Sequence, residues 1–113
     1  MPKQKIFLRG IVASPGKVQG EVRIVKSVKD LLKVKKYEII VASFLSPDFC
    51  ILLRKNSRIA GIITEKGGST SHAAILAREF QIPYIAGVET ATRKLKDKMV
   101  INVDDGGTIY EIS

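Results

Sequence analysis

The feature that most restricts the fold of this chain is a change of hydrophobic period between Ile59 and Phe80. Ile59-Ala60-Gly61-Ile62-Ile63-Thr64 is an unbroken apolar run of strand length and reads as a buried strand. Beyond it, Ala73, Leu76, Ala77 and Phe80 recur at the spacing of one helix face, with Arg78 and Glu79 turned outward. Between the two patterns lie a paired-glycine loop, Gly67-Gly68, and a hydroxyl-rich turn, Ser69-Thr70-Ser71. The only histidine of the chain, His72, stands where the helix opens.

A helix start offers free backbone N–H groups and the positive end of the macrodipole, so it is a ready anion site. A neutral imidazole with one bare nitrogen is a nucleophile, and N–H groups beside it can hold a phosphoryl group. His72 is therefore a candidate phosphoryl acceptor. On these features alone the ordinary alternative is favoured: a solvated histidine near a cap, with Ser69, Thr70 and Ser71 as common N-cap types. No capping box marks the start, since Ala73 and Ala74 stand where Glu or Gln would reach back. Neither G-x-x-x-x-G-K-[ST] nor G-x-G-x-x-G occurs, so no nucleotide loop is supported.

The run Thr64-Glu65-Lys66-Gly67-Gly68-Ser69-Thr70-Ser71-His72-Ala73-Ala74-Ile75-Leu76-Ala77-Arg78-Glu79, followed by Ile82-Pro83 and Gly87, closely resembles the mobile phosphohistidine domain of phosphoenolpyruvate-utilizing enzymes. Phosphoenolpyruvate synthase, pyruvate phosphate dikinase and enzyme I of the sugar phosphotransferase system belong to that family. Ala13-Ser14-Pro15-Gly16, Ser46-Pro47-Asp48, and Ala91-Thr92 through Leu95 with Val103-Asp104-Asp105 extend the likeness over nearly the whole chain. The resemblance implies the swivelling β/β/α fold, phosphorylation of His72 on Nε2, and a domain that moves between distant active sites. By the same token Gly67, Gly68, Ser69, Thr70 and Ser71 would shape the phosphate-binding loop, with Thr64, Glu65 and Arg78 as supporting candidates. Four positions depart from the usual pattern. Tyr37-Glu38 stands where Gly-Asp is common, Asp97-Lys98 where Asp-Gly is common, Gln81 at a place often held by glycine, and Leu45 where many members have threonine.

At 113 residues the chain makes one domain with a single core, residues 1–5 forming a loose tail. Its 45% hydrophobic content excludes a disordered chain. No apolar run approaches the roughly 20 residues of a bilayer span, and no signal-like segment follows the basic start. One cysteine, Cys50, excludes an internal disulfide, and with it a cytoplasmic location is expected. Cys50 falls in Phe49-Cys50-Ile51-Leu52-Leu53, read as a core helix with an inert thiol. One Cys and one His give no zinc spacing, so no metal site is expected.

Charge is unevenly placed. The first 36 residues carry ten basic against two acidic side chains, and the remainder nine against nine, so the whole net +8 lies in the first third. A lysine-rich solvated surface is the simpler explanation, and a docking face for an acidic partner the sharper one. Aromatics are sparse there and no nucleic-acid motif is present, which disfavours a nucleic-acid partner.

In chain order the pattern predicts strands over Ile6–Ala13, Gln19–Val25, Glu38–Ala42, Ile59–Thr64 and Tyr84–Ala86, then a hairpin of Met99–Val103 and Thr108–Ile112 around Asp104-Asp105-Gly106-Gly107. Helices are expected over Val28–Lys33 with Leu31 and Leu32 inward, from Ser46 as N-cap to about Arg54, from His72, and from Thr90 to Leu95. Alternating strands and helices argue for an α/β domain, a compact sheet packed with short helices.

Size bounds the chemistry. A phosphoenolpyruvate-binding TIM barrel needs about 250 residues, and the resemblance puts ATP on yet another domain. The expectation is a phosphoryl carrier that is not catalytically complete alone and binds no cofactor of its own. Mg²⁺, ATP or phosphoenolpyruvate would belong to nucleotide-binding or phosphoenolpyruvate-binding partners. The alternative is a non-catalytic interaction or regulatory module that retains the fold.

Overall fold

The computed structural model describes residues 4–47, 49, 51, 59–68 and 71–112. The apolar runs of the middle of the chain become the centre of an eight-stranded mixed sheet. Strands β1 (Gln4–Arg9), β2 (Ile11–Ser14), β3 (Val18–Val25), β4 (Ile39–Ala42), β5 (Gly61–Thr64), β6 (Tyr84–Ala86), β7 (Val100–Val103) and β8 (Thr108–Ile112) lie in the order β1-β8-β7-β3-β4-β5-β6-β2. Helices α1 (Val28–Leu31), α2 (His72–Glu79) and α3 (Ala91–Lys94) follow β3, β5 and β6.

The sheet has two characters that meet on β3. Val18 to Glu21 pair antiparallel with β7, whereas Val22 to Val25 pair parallel with β4, in the register Val22↔Ile39 to Val25↔Ala42. β4, β5 and β6 continue the parallel block, and β7 and β8 form the expected hairpin. Asp104 builds its turn: Oδ1 accepts the N–H groups of Gly106 at 2.9 Å and Thr108 at 3.0 Å.

Alternation along the parallel strands explains why they read as unbroken apolar runs. Ile40, Ala42 and Ile62 pack on one side with Ala74, Leu76 and Ala77 of α2. Ile39, Val41 and Ile63 pack on the other with Leu95, Ile101 and Ile109. Both faces of β4 and β5 are covered, and every residue of the two strands is buried.

The expected strand Ile6–Ala13 is two strands broken at Gly10. β1 pairs with β8 at one end of the strand order and β2 with β6 at the other, so a continuous stretch of chain joins the two edges and draws the sheet toward a barrel. The seam depends on absent side chains. Gly10 N–H donates to Gly107 O at 3.0 Å. A Cβ on Gly10 would stand 2.5 Å from Ile85 Cγ2, and one on Gly107 2.5 Å from Gly10 O.

Other boundaries moved for local reasons. β1 begins at Gln4, so Gln4 and Lys5 of the expected tail are in strand. α1 ends after one turn, leaving Leu32 as its C-cap and 75% exposed, not inward. After β4, Pro47, Phe49 and Ile51 are helical and Phe49 N–H donates to Ser46 O at 3.0 Å. Phe49 is buried, but Ile51 is 56% exposed and does not belong to a core face. Asp48, Cys50 and the rest of that expected helix lie outside the described residues. Among the described residues no helix is long and apolar enough to cross a membrane.

Candidate functional site

β5 delivers the chain to the site through two side-chain clamps. Thr64, its last residue, is fully buried and its Oγ1 donates to Lys66 O at 2.7 Å. That uses the only hydroxyl proton of Thr64, so the buried Tyr84 hydroxyl, 2.9 Å away on β6, donates to Oγ1. The next residue, Glu65, turns away from the glycine loop. Its Oε1 accepts from Ser43 Oγ at 2.8 Å, and its Oε2 from Thr92 N at 3.0 Å and Thr92 Oγ1 at 2.7 Å. Partial burial pushes the Glu65 carboxyl up, but the bonds from Thr92 and Ser43 and the charge of Arg93 outweigh it, so its pKa lies below the ordinary value. One carboxylate thus ties the ends of β4 and β5 to the first turn of α3.

The paired glycines differ. Gly67 has φ +108°, and a Cβ there would stand 3.2 Å from the Tyr84 hydroxyl. Gly68 has open space where a Cβ would be. Ser69 and Thr70, both expected in the phosphate-binding loop, lie outside the described residues. Ser71 N–H donates back to Gly68 O at 3.2 Å.

Ser71 is the N-cap of α2. Its backbone is extended, its Oγ accepts from Ala74 N at 3.1 Å and its carbonyl from Ile75 N at 3.1 Å. His72 is the first helical residue and is exposed, while Ala73, Ala74, Leu76 and Ala77 bury the opposite face. No acidic residue occupies the first turn, so the positive end of the helix is left for an external anion. Arg78 ties α2 to β2, its Nε donating to Ala13 O at 2.8 Å.

The ring of His72 borders a depression of about 180 Å³ whose walls include Phe44, Leu45, Lys66, Gly67, Ser71 and Tyr84. Of the expected site residues, Gly67, Ser71 and His72 therefore meet, Thr64 and Glu65 brace the approach from behind, and Arg78 holds the helix to Ala13 of β2. Sequence reasoning missed Lys66 and Tyr84 as site residues, and Ser43 and Thr92 as the partners of Glu65. A tyrosine among the aliphatic residues of β6 is the one visible signal, because a buried hydroxyl demands a partner. Nothing in the sequence marks Ser43. The arrangement suits nucleophilic chemistry on an anionic group: an exposed imidazole, a lysine on the same rim, and N–H groups at an unneutralised helix start.

Residues 34–107 match the family model described as PEP-utilising enzyme, mobile domain. A probable phosphoenolpyruvate synthase of Archaeoglobus fulgidus is 42% identical over 108 residues, covering 95% of this chain and 14% of that protein. The phosphoenolpyruvate synthase of Pyrococcus furiosus is 39% identical over 108 residues, covering 95% of this chain and 13% of that protein. The chain thus spans about one-seventh of the length of these relatives. Among solved structures, that of Enzyme I (nEIt) superposes with TM-score 0.61 and 27% identity over 74% of this chain and 33% of that one. Aconitase X of Thermococcus kodakaraensis superposes with TM-score 0.67 and 25% identity, covering 94% and 97% of the two chains. The extent of the family match and the identity to the synthases agree with the strand–glycine loop–helix that carries His72, and the chain belongs to the PEP-utilising enzyme mobile-domain family.

Proposed function

We propose that this chain is a phosphoryl carrier in which His72 takes up a phosphoryl group and passes it between partner active sites. The observation that supports it most is an exposed imidazole at the capped, unneutralised start of α2, in a chain that shares the family of phosphoenolpyruvate synthases. In the forward step the bare ring nitrogen, Nε2 by family resemblance, attacks phosphorus. An N–P bond forms as the O–P bond of the donor breaks, and the electron pair leaves on the donor oxygen; return transfer reverses each change. The loop amides and the Lys66 ammonium are suited to the phosphoryl oxygens. Phosphoenolpyruvate, or ATP with Mg²⁺, would be held by partner domains, and a cytoplasmic setting with those metabolites fits a chain of this kind.

The test is labelling of the full chain with radioactive phosphoramidate, a small-molecule phosphoryl donor, followed by exposure to acid and base. One acid-labile, base-stable phosphoryl group is expected, absent from His72→Ala. Equal labelling of His72→Ala would reject the carrier.

A second function has one observation in its favour: the fold extends over nearly the full length of the matched aconitase X chain, outside phosphoenolpyruvate chemistry. A non-catalytic interaction or regulatory module would bind its partner equally well as His72→Ala and exchange no phosphoryl group.

A further inference from the structure

The basic first third divides into paired and unpaired charge. Arg23 grips Glu38 with two hydrogen bonds, Nε to Oε1 at 3.1 Å and Nη2 to Oε2 at 3.0 Å. Lys17 stands 3.9 Å from Asp105. By contrast Lys26, Lys29, Lys33, Lys35 and Lys36, on α1 and its two flanks, are exposed and make no ion pair among the described residues. The one carboxylate within that stretch, Asp30, accepts the N–H groups of Lys26 at 2.8 Å and Ser27 at 3.3 Å.

This block of positive charge reaches, through Lys26, a second and larger depression of about 450 Å³ that is also lined by Val25, Leu31, Phe44, Leu45 and Phe49. Phe44 and Leu45 also wall the depression beside His72, so the two depressions adjoin across these side chains and make up one trough-like face between Lys26 and His72. Phe44 stands where they join and is 63% exposed, an aromatic side chain left in water beside the reactive group. The trough opens at the carboxyl ends of β3 and β4, the side of a parallel sheet on which partners and ligands are received.

We propose that this trough and its lysine rim are the surface on which the phosphoryl-exchanging partner docks, through an acidic face bearing a protruding apolar side chain. The proposal rests on His72 being a carrier. Complementary charge would accelerate encounter and set orientation, while the apolar side chain seats against Phe44 and Leu45 and closes water away from the ring. A nucleic acid would engage the lysines but has no use for the apolar floor.

The full-length Archaeoglobus fulgidus relative, radioactive phosphoenolpyruvate and this chain provide the test, with label read in the separable 12.4 kDa band. Transfer to the wild-type chain is expected to fall at least about tenfold as salt rises from about 0.05 M to about 0.5 M. The pair Lys29→Glu/Lys33→Glu should lower transfer by at least about tenfold, with phosphoramidate labelling unchanged. Phe44→Ser should lower transfer relative to its own phosphoramidate labelling. Transfer indifferent to salt and to both variants overturns the docking surface. So does absence of enzyme-catalysed transfer to a wild-type chain that phosphoramidate still labels, and this leaves the carrier function standing. Failure of both donors to label His72 removes the carrier and the docking surface together.

Discussion

Tyr37, Gln81 and Lys98 hold left-handed backbone conformations, with φ of 65°, 58° and 70°. They are the three, of the four departures noted in the sequence, at which the resemblance leads one to expect glycine, and each keeps the left-handed turn that glycine favours. A non-glycine residue in this region costs about 1–2 kcal/mol, against about 0.5–1 kcal/mol for the extra chain entropy of glycine. Lys98→Gly should therefore stabilise the domain by up to about 1 kcal/mol, because the bond from Lys98 N to Val22 O at 2.9 Å needs only backbone. A higher urea midpoint with an unchanged slope would show it. Gly67 and Gly68 should behave oppositely to one another. Gly67→Ala adds a Cβ at positive φ beside the Tyr84 hydroxyl and should cost about 1–2 kcal/mol. Gly68→Ala, with open space, should stay within about 0.5 kcal/mol in the same urea measurement.

At the scale of elements, the clamp of Glu65 on Ser43 and Thr92 holds together the ends of β4, β5 and the start of α3 from which the His72 loop departs. Its folded pKa lies below the ordinary carboxylate value, so the stability it contributes is complete above that value and is lost as pH falls through the folded one. Wild-type stability should decline from about pH 4.5 downward. Glu65→Gln should be less stable at neutral pH, since an amide oxygen cannot replace a carboxylate that accepts on both atoms, and its pH profile should be flatter below that point. Thermal unfolding of the two proteins between acid and neutral pH decides it; parallel profiles would deny the clamp its role. The resemblance singled out Glu65, but its partners were hidden, because Ser43 and Thr92 are 22 and 27 residues away and meet it only across the ends of strands and a helix.

For the whole molecule, the decisive contact is the crossing of Gly10 and Gly107, where the segment joining β1 to β2 closes the sheet. Gly10→Ala would place a Cβ 2.5 Å from Ile85, 2.6 Å from Ala86 O and 2.6 Å from Val88, with backbone among the obstacles. A loss of about 3 kcal/mol or more is expected, together with faster amide exchange in the β2–β6 and β1–β8 ladders than elsewhere. Uniform exchange across the sheet would show that the seam carries no special load. The alternation of strands and helices and the terminal hairpin were legible as apolar runs separated by turn residues. The closure was not. Ile6–Ala13 has the composition of one strand, and only the approach of the opposite edge makes Gly10 a break.

By itself the sequence determined that a strand would hand the chain through glycine to a helix beginning at His72, because hydrophobic period and capping chemistry act over neighbouring residues. The tertiary structure alone decided which side chains surround that histidine and which lysines, among the described residues, remain without counter-charges. Those relations join residues far apart in the chain, and they arise from strand order and closure, on which local pattern is silent.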